Sequence, residues 1–150
     1  MSTVEERLSK VESELAIRNV IASYGLAADC GDVEAALACH TVNAVYIVSN
    51  PNAGRDFKTS PDLELLGHQA IKDMLTSERH QSLLPNCAHT VGPLVVKVDI
   101  KTASVLGYSR VYNQVDGHPH LMRVAFNTWN MCRENGTWKI SRRESRIMGE

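Results

Sequence analysis

The sequence lacks an excess of either charge: 16 Lys and Arg stand against 17 Asp and Glu, a formal net of −1. A protein that holds nucleic acid electrostatically would be basic overall or carry a basic stripe. The one candidate stripe, Lys139, Arg142, Arg143 and Arg146, lies in a strand-like segment and reads as a solvated or paired face. No apolar run approaches the ~20 residues that span a bilayer. The first residues, Met1 to Glu6, are too acidic and polar for a signal peptide. A cytoplasmic chain is expected, with neither nucleic acid nor membrane as a partner.

Recognisable cofactor and nucleophile motifs are also missing. The four cysteines, at 30, 39, 87 and 132, have no C-x-x-C spacing, so a zinc knuckle or thioredoxin-type motif is excluded. Free buried thiols in a reducing compartment are the expectation. There is no G-x-G-x-x-G, no P-loop and no G-x-S-x-G elbow. His118-Pro119-His120 has the look of a metal pair, but Pro119 predicts a turn there and no third ligand is near in sequence. No metal site is expected. The chain shows no internal repeat and no low-complexity tract, and its 150 residues suit one domain with a real core.

What is present begins with a long amphipathic helix. Thr3 with Glu6 makes a capping box. The apolar positions Val4, Leu8, Val11, Leu15, Ala16, Val20, Ile21, Tyr24 and Ala28 step mostly by three and four. The helix should run from about 4 to 29, and its first turns are long enough to pack on a neighbouring subunit. Gly31 stops it, and Asp32 caps a short second helix, 33 to about 40. Residues 42–49 are β-branched and predict a strand. Residues 50–62 carry Asn, Pro, Gly, Asp and Ser and predict a loop, and Gly67 to Leu75 a helix. The rest divides into four strand-like runs, 87–100, 103–115, 120–133 and 137–148, joined by short turn signals that include Asn135-Gly136. Four strands joined so tightly form an antiparallel meander. The fold class predicted is α+β, one domain over 1–150, with a curled sheet enclosing a pocket against the first helix.

Few ionisable residues fall inside apolar contexts. Asp29 ends an apolar helix, where the C-terminal partial charge is already negative, so a compensating partner is expected. His89 opens a strand. A carboxylate on one imidazole nitrogen fixes the tautomer and raises the basicity of the other, so the pair could remove and return a proton. Arg110 and Arg143 lie within strands, and Tyr24, Tyr46, Tyr108 and Tyr112 could present hydroxyls to an oxyanion. Tyr24 and Asp29 stand about 140° apart around an ideal helix, so they cannot both point straight into one pocket. The histidines at 40, 68 and 80 read as exposed.

Taken in order, several segments resemble the SnoaL-like, polyketide-cyclase-related proteins. They are Ile21-x-x-Tyr24-x-x-x-x-Asp29-x-Gly31-Asp32, Ala44-Val-Tyr46, Gly67-x-x-Ala70-Ile71, Ala88-His89-Thr90 and Asn135-Gly-x-Trp138-Lys-Ile-x-x-Arg143. Within that group the chain is similar to the branch with scytalone dehydratase, bile-acid dehydratase and hexachlorocyclohexane dehydrochlorinase. The resemblance implies a cone-shaped α+β barrel like that of nuclear-transport-factor-like proteins, with helices packed in a strongly curved, mostly antiparallel sheet. It also implies no cofactor, and a homo-oligomer, trimer or dimer. Asp29 and His89 fall on the catalytic dyad of such dehydratases. Tyr24 and Tyr46 fall on substrate-binding tyrosines, and Arg143 on an arginine near the leaving group. Scytalone-type enzymes carry a second histidine on a central strand. Tyr108, Arg110 and Tyr112 occupy that region here, and Tyr108 and Arg110 are expected to bind substrate in its place. The function expected is a cofactor-independent lyase, dehydratase-like, acting on a small cyclic and largely apolar molecule. An isomerase or cyclase using the same pocket, or a non-catalytic small subunit of a ring-hydroxylating dioxygenase, are the other readings.

Overall fold

Helix α1 (Val4–Cys30) organises the chain. In the computed structural model, which describes residues 1–49 and 63–148, it opens on the expected capping box. Thr3 Oγ1 accepts from the Glu6 amide at 3.1 Å, and the Glu6 carboxylate accepts from the Thr3 amide at 2.9 Å. It closes at Gly31, whose φ of 71° is the left-handed conformation a glycine adopts without a Cβ clash. Asp32 Oδ1 then accepts from the Ala35 amide and starts α2 (Val33–Ala38).

The remaining elements are β1 (His40–Ser49), β2 (Leu63–Leu66), α3 (Gly67–Thr76), α4 (Glu78–Gln81), β3 (Cys87–Val98), β4 (Thr102–Val115), β5 (His118–Glu134) and β6 (Thr137–Ile147). The expected loop over 50–62 lies outside the described residues. Strands β3 to β6 form the expected antiparallel meander. Its two tight turns are Asp116-Gly117 and Asn135-Gly136. Their φ values of 48° and 79°, and of 50° and 78°, are all positive, as a type I′ hairpin turn requires. The turn expected through Pro119 is shorter than the sequence suggests, because His118 already pairs with Val115.

The sheet is the expected mostly antiparallel one, in the order β2-β1-β6-β5-β4-β3. Among the described residues it is an open cone and not a closed barrel, with β2 and β3 as its edges. Its one parallel pair joins β1 to β6, with Tyr46 beside Arg143. The architecture is an α+β cone, with α1 laid against an open, mixed six-stranded sheet.

The core lies between α1 and the inner face of the sheet. Ile17, Ile21 and Ala28 from the helix meet Val105, Trp129, Met131 and Ile140 from the strands. The apolar stripe of α1 divides in two. Its second half is buried, whereas Val4, Leu8, Val11 and Leu15 are all more than half exposed in the single chain. Among the described residues, no helix is long and apolar enough to cross a membrane.

Candidate active site

Strand β3 is an edge, so the outward N–H groups of its backbone need partners from outside the sheet. The last turn of α1 supplies one. Asp29 Oδ2 accepts from the His89 amide at 2.7 Å, and Asp29 Oδ1 accepts from His89 Nδ1 at 2.5 Å. The Cys87 thiol donates to the same Oδ1 at 3.3 Å. These three donors answer the puzzle of an acid at a helix C-terminus, because they compensate the carboxylate where the helix dipole does not.

The close approach depends on Gly25. A Cβ there would lie 2.9 Å from the His89 carbonyl oxygen and 3.3 Å from its Cβ. The room that its missing side chain leaves is filled by the His89 backbone.

A carboxylate can only accept, so the neutral His89 ring carries its proton on Nδ1 and keeps a lone pair on Nε2. His89 lines a funnel between α1 and the sheet, and Asp29 stands behind it. This resolves the helix-angle conflict: Tyr24 faces the funnel, and Asp29 acts only through His89. Burial pushes the His89 pKa below its ordinary value of 6.5. The bond and charge of Asp29 oppose that shift, and the charges of Arg123 and Arg143 add to it. The ring is therefore neutral near pH 7, as a general base must be.

Opposite His89 stands Arg143, 7% exposed, at the centre of a row across the sheet. Its backbone neighbours are Tyr46 on β1 and Trp129 on β5. The guanidinium carbon lies 4.8 Å from the Tyr46 ring centroid, 5.4 Å from Trp129 and 5.7 Å from Tyr24. Aromatic faces stabilise a desolvated cation by roughly 0.5–2 kcal/mol each. Arg143 Nε donates to Asn127 Oδ1 at 2.9 Å, and Asn127 Nδ2 donates to Ser109 Oγ at 2.8 Å. Asn127 is fully buried, so this chain fixes both the amide and the guanidinium.

Tyr24 is buried against His40, ring to edge at 4.9 Å. Its pKa is driven well above the usual tyrosine value by burial first, then by Tyr46, with Arg143 and Arg123 opposing. The phenol thus stays protonated and can only donate or accept a hydrogen bond. His40 is itself buried and donates from Nδ1 to the Ala36 carbonyl at 2.8 Å. Burial, aided by the charges of Arg143 and His68, lowers its pKa to about 4, against the Ala36 bond.

The sheet pleat separates the other candidates. On β4, Ala103, Val105, Ser109 and Val111 are buried, whereas Tyr108 is 44% exposed. Tyr108 packs on Phe126, and Arg110 donates to the Gly92 carbonyl. Tyr108 and Arg110, expected to bind substrate, are not among the residues that line the funnel: successive strand residues face opposite ways, and these two share the outer face. The inward residue between them is Ser109, which the sequence reading missed, as it missed Asn127, Arg123, Trp129 and Cys87. His40 and His80, read as exposed, are buried, and His80 Nε2 donates to the Ala28 carbonyl at the end of α1.

Among the described residues, one set of atoms could hold a metal. Asp29, Cys87 and His89 each present a ligand atom, all within 4.8 Å of one another. A cation there would displace the Nδ1 proton and the thiol proton, and burial together with Asp29 raises the Cys87 pKa to about 11. The same atoms satisfy each other fully as a hydrogen-bonded group.

An α+β cone, with a long helix laid against an open six-stranded sheet, defines a recognisable class of small domain. The chain belongs to the SnoaL-like domain family, whose sequence profile matches residues 9–144. That fold family includes isomerases, cyclases, dehydratases and dioxygenase small subunits. An NTF2-like protein with a cystatin-like fold from Novosphingobium aromaticivorans is 30% identical over 99% of this chain and 92% of its own, with a TM-score of 0.84. A protein of unknown function from Mycobacterium tuberculosis is 18% identical, covering 100% of this chain and 78% of its own, with a TM-score of 0.78. A third structure, assigned as the beta subunit of an aromatic-ring-hydroxylating dioxygenase from Novosphingobium aromaticivorans, is 16% identical over 95% and 93%, with a TM-score of 0.78. No curated protein matches the sequence.

Proposed function

We propose that this protein is a lyase that removes water, or another small leaving group, from a small cyclic substrate. The observation that carries the proposal is the Asp29–His89 pair, bonded at 2.5 Å with His89 lining the funnel. In the scheme, His89 Nε2 takes a proton from the carbon beside a carbonyl. The electron pair passes to the carbonyl oxygen, giving an enolate. The Tyr24 hydroxyl, kept protonated, donates to that oxygen, and the Arg143 field stabilises the negative charge. When the enolate collapses, the bond to the β-hydroxyl breaks, and that oxygen takes the proton from His89 and leaves as water. Every group in the scheme belongs to this chain. Asp29 holds the ring and stabilises the imidazolium while it carries the proton.

An isomerase or cyclase would use the same first step and return the proton elsewhere. A non-catalytic small subunit is the reading from another class, supported by the likeness to the dioxygenase beta subunit. The bonding of Asp29 to His89 at the funnel favours chemistry over it. The test is to incubate the protein with a panel of β-hydroxy ring ketones and weigh the products. Loss of ~18 Da supports elimination. An unchanged mass with a new retention time supports isomerisation, and no conversion together with capture of an iron–sulfur partner supports the subunit reading.

A further inference from the structure

Two guanidinium groups line the funnel, those of Arg123 and Arg143, and no acidic side chain lines it among the described residues. Arg143 is more than nine-tenths buried, yet its one hydrogen bond uses Nε and leaves the two terminal nitrogens without a protein acceptor among the described residues. Neither terminal nitrogen is among the fully buried unpartnered atoms, so both reach the space of the funnel, where an acceptor on a ligand can meet them. The π faces around the guanidinium accept no such hydrogen bonds. Ser109 sits beside it on the funnel wall. Its oxygen already accepts from Asn127, so its own O–H is free to donate.

Charge bookkeeping gives the same answer. Against the two arginines the site holds one carboxylate, Asp29, which stands behind His89. The Cys87 thiol, the Tyr24 phenol and the His40 ring are neutral. Two positive charges and one negative leave a net of +1. A net of +1 matches the single charge of a carboxylate better than the double charge of a phosphate monoester near pH 7.

We infer that the substrate is a monoanion, a ring carboxylate whose charged group is held by Arg143, Arg123 and Ser109. This refines the largely apolar substrate expected from the sequence. It rests on the reading that the funnel is the substrate site, and it gives both arginines a standing role in binding.

Binding of benzoate, benzamide and phenyl phosphate, measured by titration calorimetry at low ionic strength, tests it. Benzoate should bind saturably and at least about tenfold tighter than benzamide, its neutral isostere. Arg123→Gln, a partly exposed change that leaves the core intact, should weaken benzoate by about tenfold and benzamide hardly at all. Equal affinity for benzoate and benzamide, no saturable benzoate binding, or no effect of Arg123→Gln would overturn the inference. Tighter binding of phenyl phosphate than of benzoate would overturn the carboxylate assignment. Asp29→Asn separates this from the lyase reading. It removes the one negative charge of the site, so benzoate should bind at least as tightly while turnover is lost. Weaker benzoate binding in Asp29→Asn counts against the anion site. Unchanged turnover in that variant counts against the dyad.

Discussion

Gly25→Ala should destabilise this protein, although alanine is the better helix former. In an open helix interior the change stabilises by up to about 1 kcal/mol. Here the new Cβ would lie 2.9 Å from the His89 carbonyl oxygen, which is backbone and cannot swing aside. Ordinary contact begins near 3.4 Å, so β3 or α1 must retreat by about 0.5 Å. The retreat lengthens the two bonds from His89 to Asp29, now 2.7 and 2.5 Å. Overpacking of this kind costs roughly 1–3 kcal/mol, and weakening a charge-assisted pair adds to it. Against the helix gain, a net loss of about 1–2 kcal/mol follows, or a fall of roughly 2–8 °C in Tm for a chain of this size. Urea and thermal unfolding read it directly. A Tm equal to or above wild type would refute the packing of α1 on β3 described here.

Further predictions concern the titrating groups and the outer face of the sheet. Asp29→Asn should lower the His89 pKa, because the carboxylate raises it, whereas Arg123→Gln should raise it, because the arginine lowers it. NMR titration of the imidazole resonances in the two variants checks both signs, and shifts in the same direction would contradict the electrostatics of the site. Stability should fall as pH drops below 6.5. The unfolded chain takes up protons at His40 and His89 before the folded one does, so their contributions are full above 6.5 and are lost as pH falls through the folded values. For His40, with a folded pKa of about 4, the loss is about 3 kcal/mol. Urea midpoints between pH 7 and 4 measure the slope, and His40→Gln should flatten it. Tyr108→Phe should leave turnover within a factor of about two, since Tyr108 packs on Phe126 outside the funnel; a loss of tenfold or more would place it in the site after all.

Local signals in the sequence were direct where the backbone itself demanded them. Thr3 with Glu6, Gly31, Asp32 and Asn135-Gly136 each satisfy a cap or a positive φ, and each marks its boundary. Asp29 was legible because an acid at a helix C-terminus requires a partner. The parallel pairing of β1 with β6 was hidden, since it joins residues about a hundred positions apart and leaves no local trace. Which face of β4 turns inward was hidden as well. Tyr108 and Arg110 have the chemistry of a site, and Ser109 between them looks ordinary, yet the pleat decides the matter. Asn127 was within reach of the sequence. It interrupts the inward row Ala125, Asn127, Trp129, Met131, where a polar residue at full burial must serve a hydrogen bond. The exposed seam of Val4, Leu8, Val11 and Leu15 shows the opposite failing, a regular apolar period with no partner among the described residues.

The claim at the centre of this account is that His89 moves the proton and Asp29 makes it able to. Turnover of whichever ring ketone the screen yields, compared among wild type, His89→Gln and Asp29→Asn with equal Tm as the control for folding, tests it most directly. The account predicts a loss of roughly 10²–10⁴-fold in kcat for His89→Gln and a comparable loss for Asp29→Asn. Unchanged turnover in both variants would contradict it.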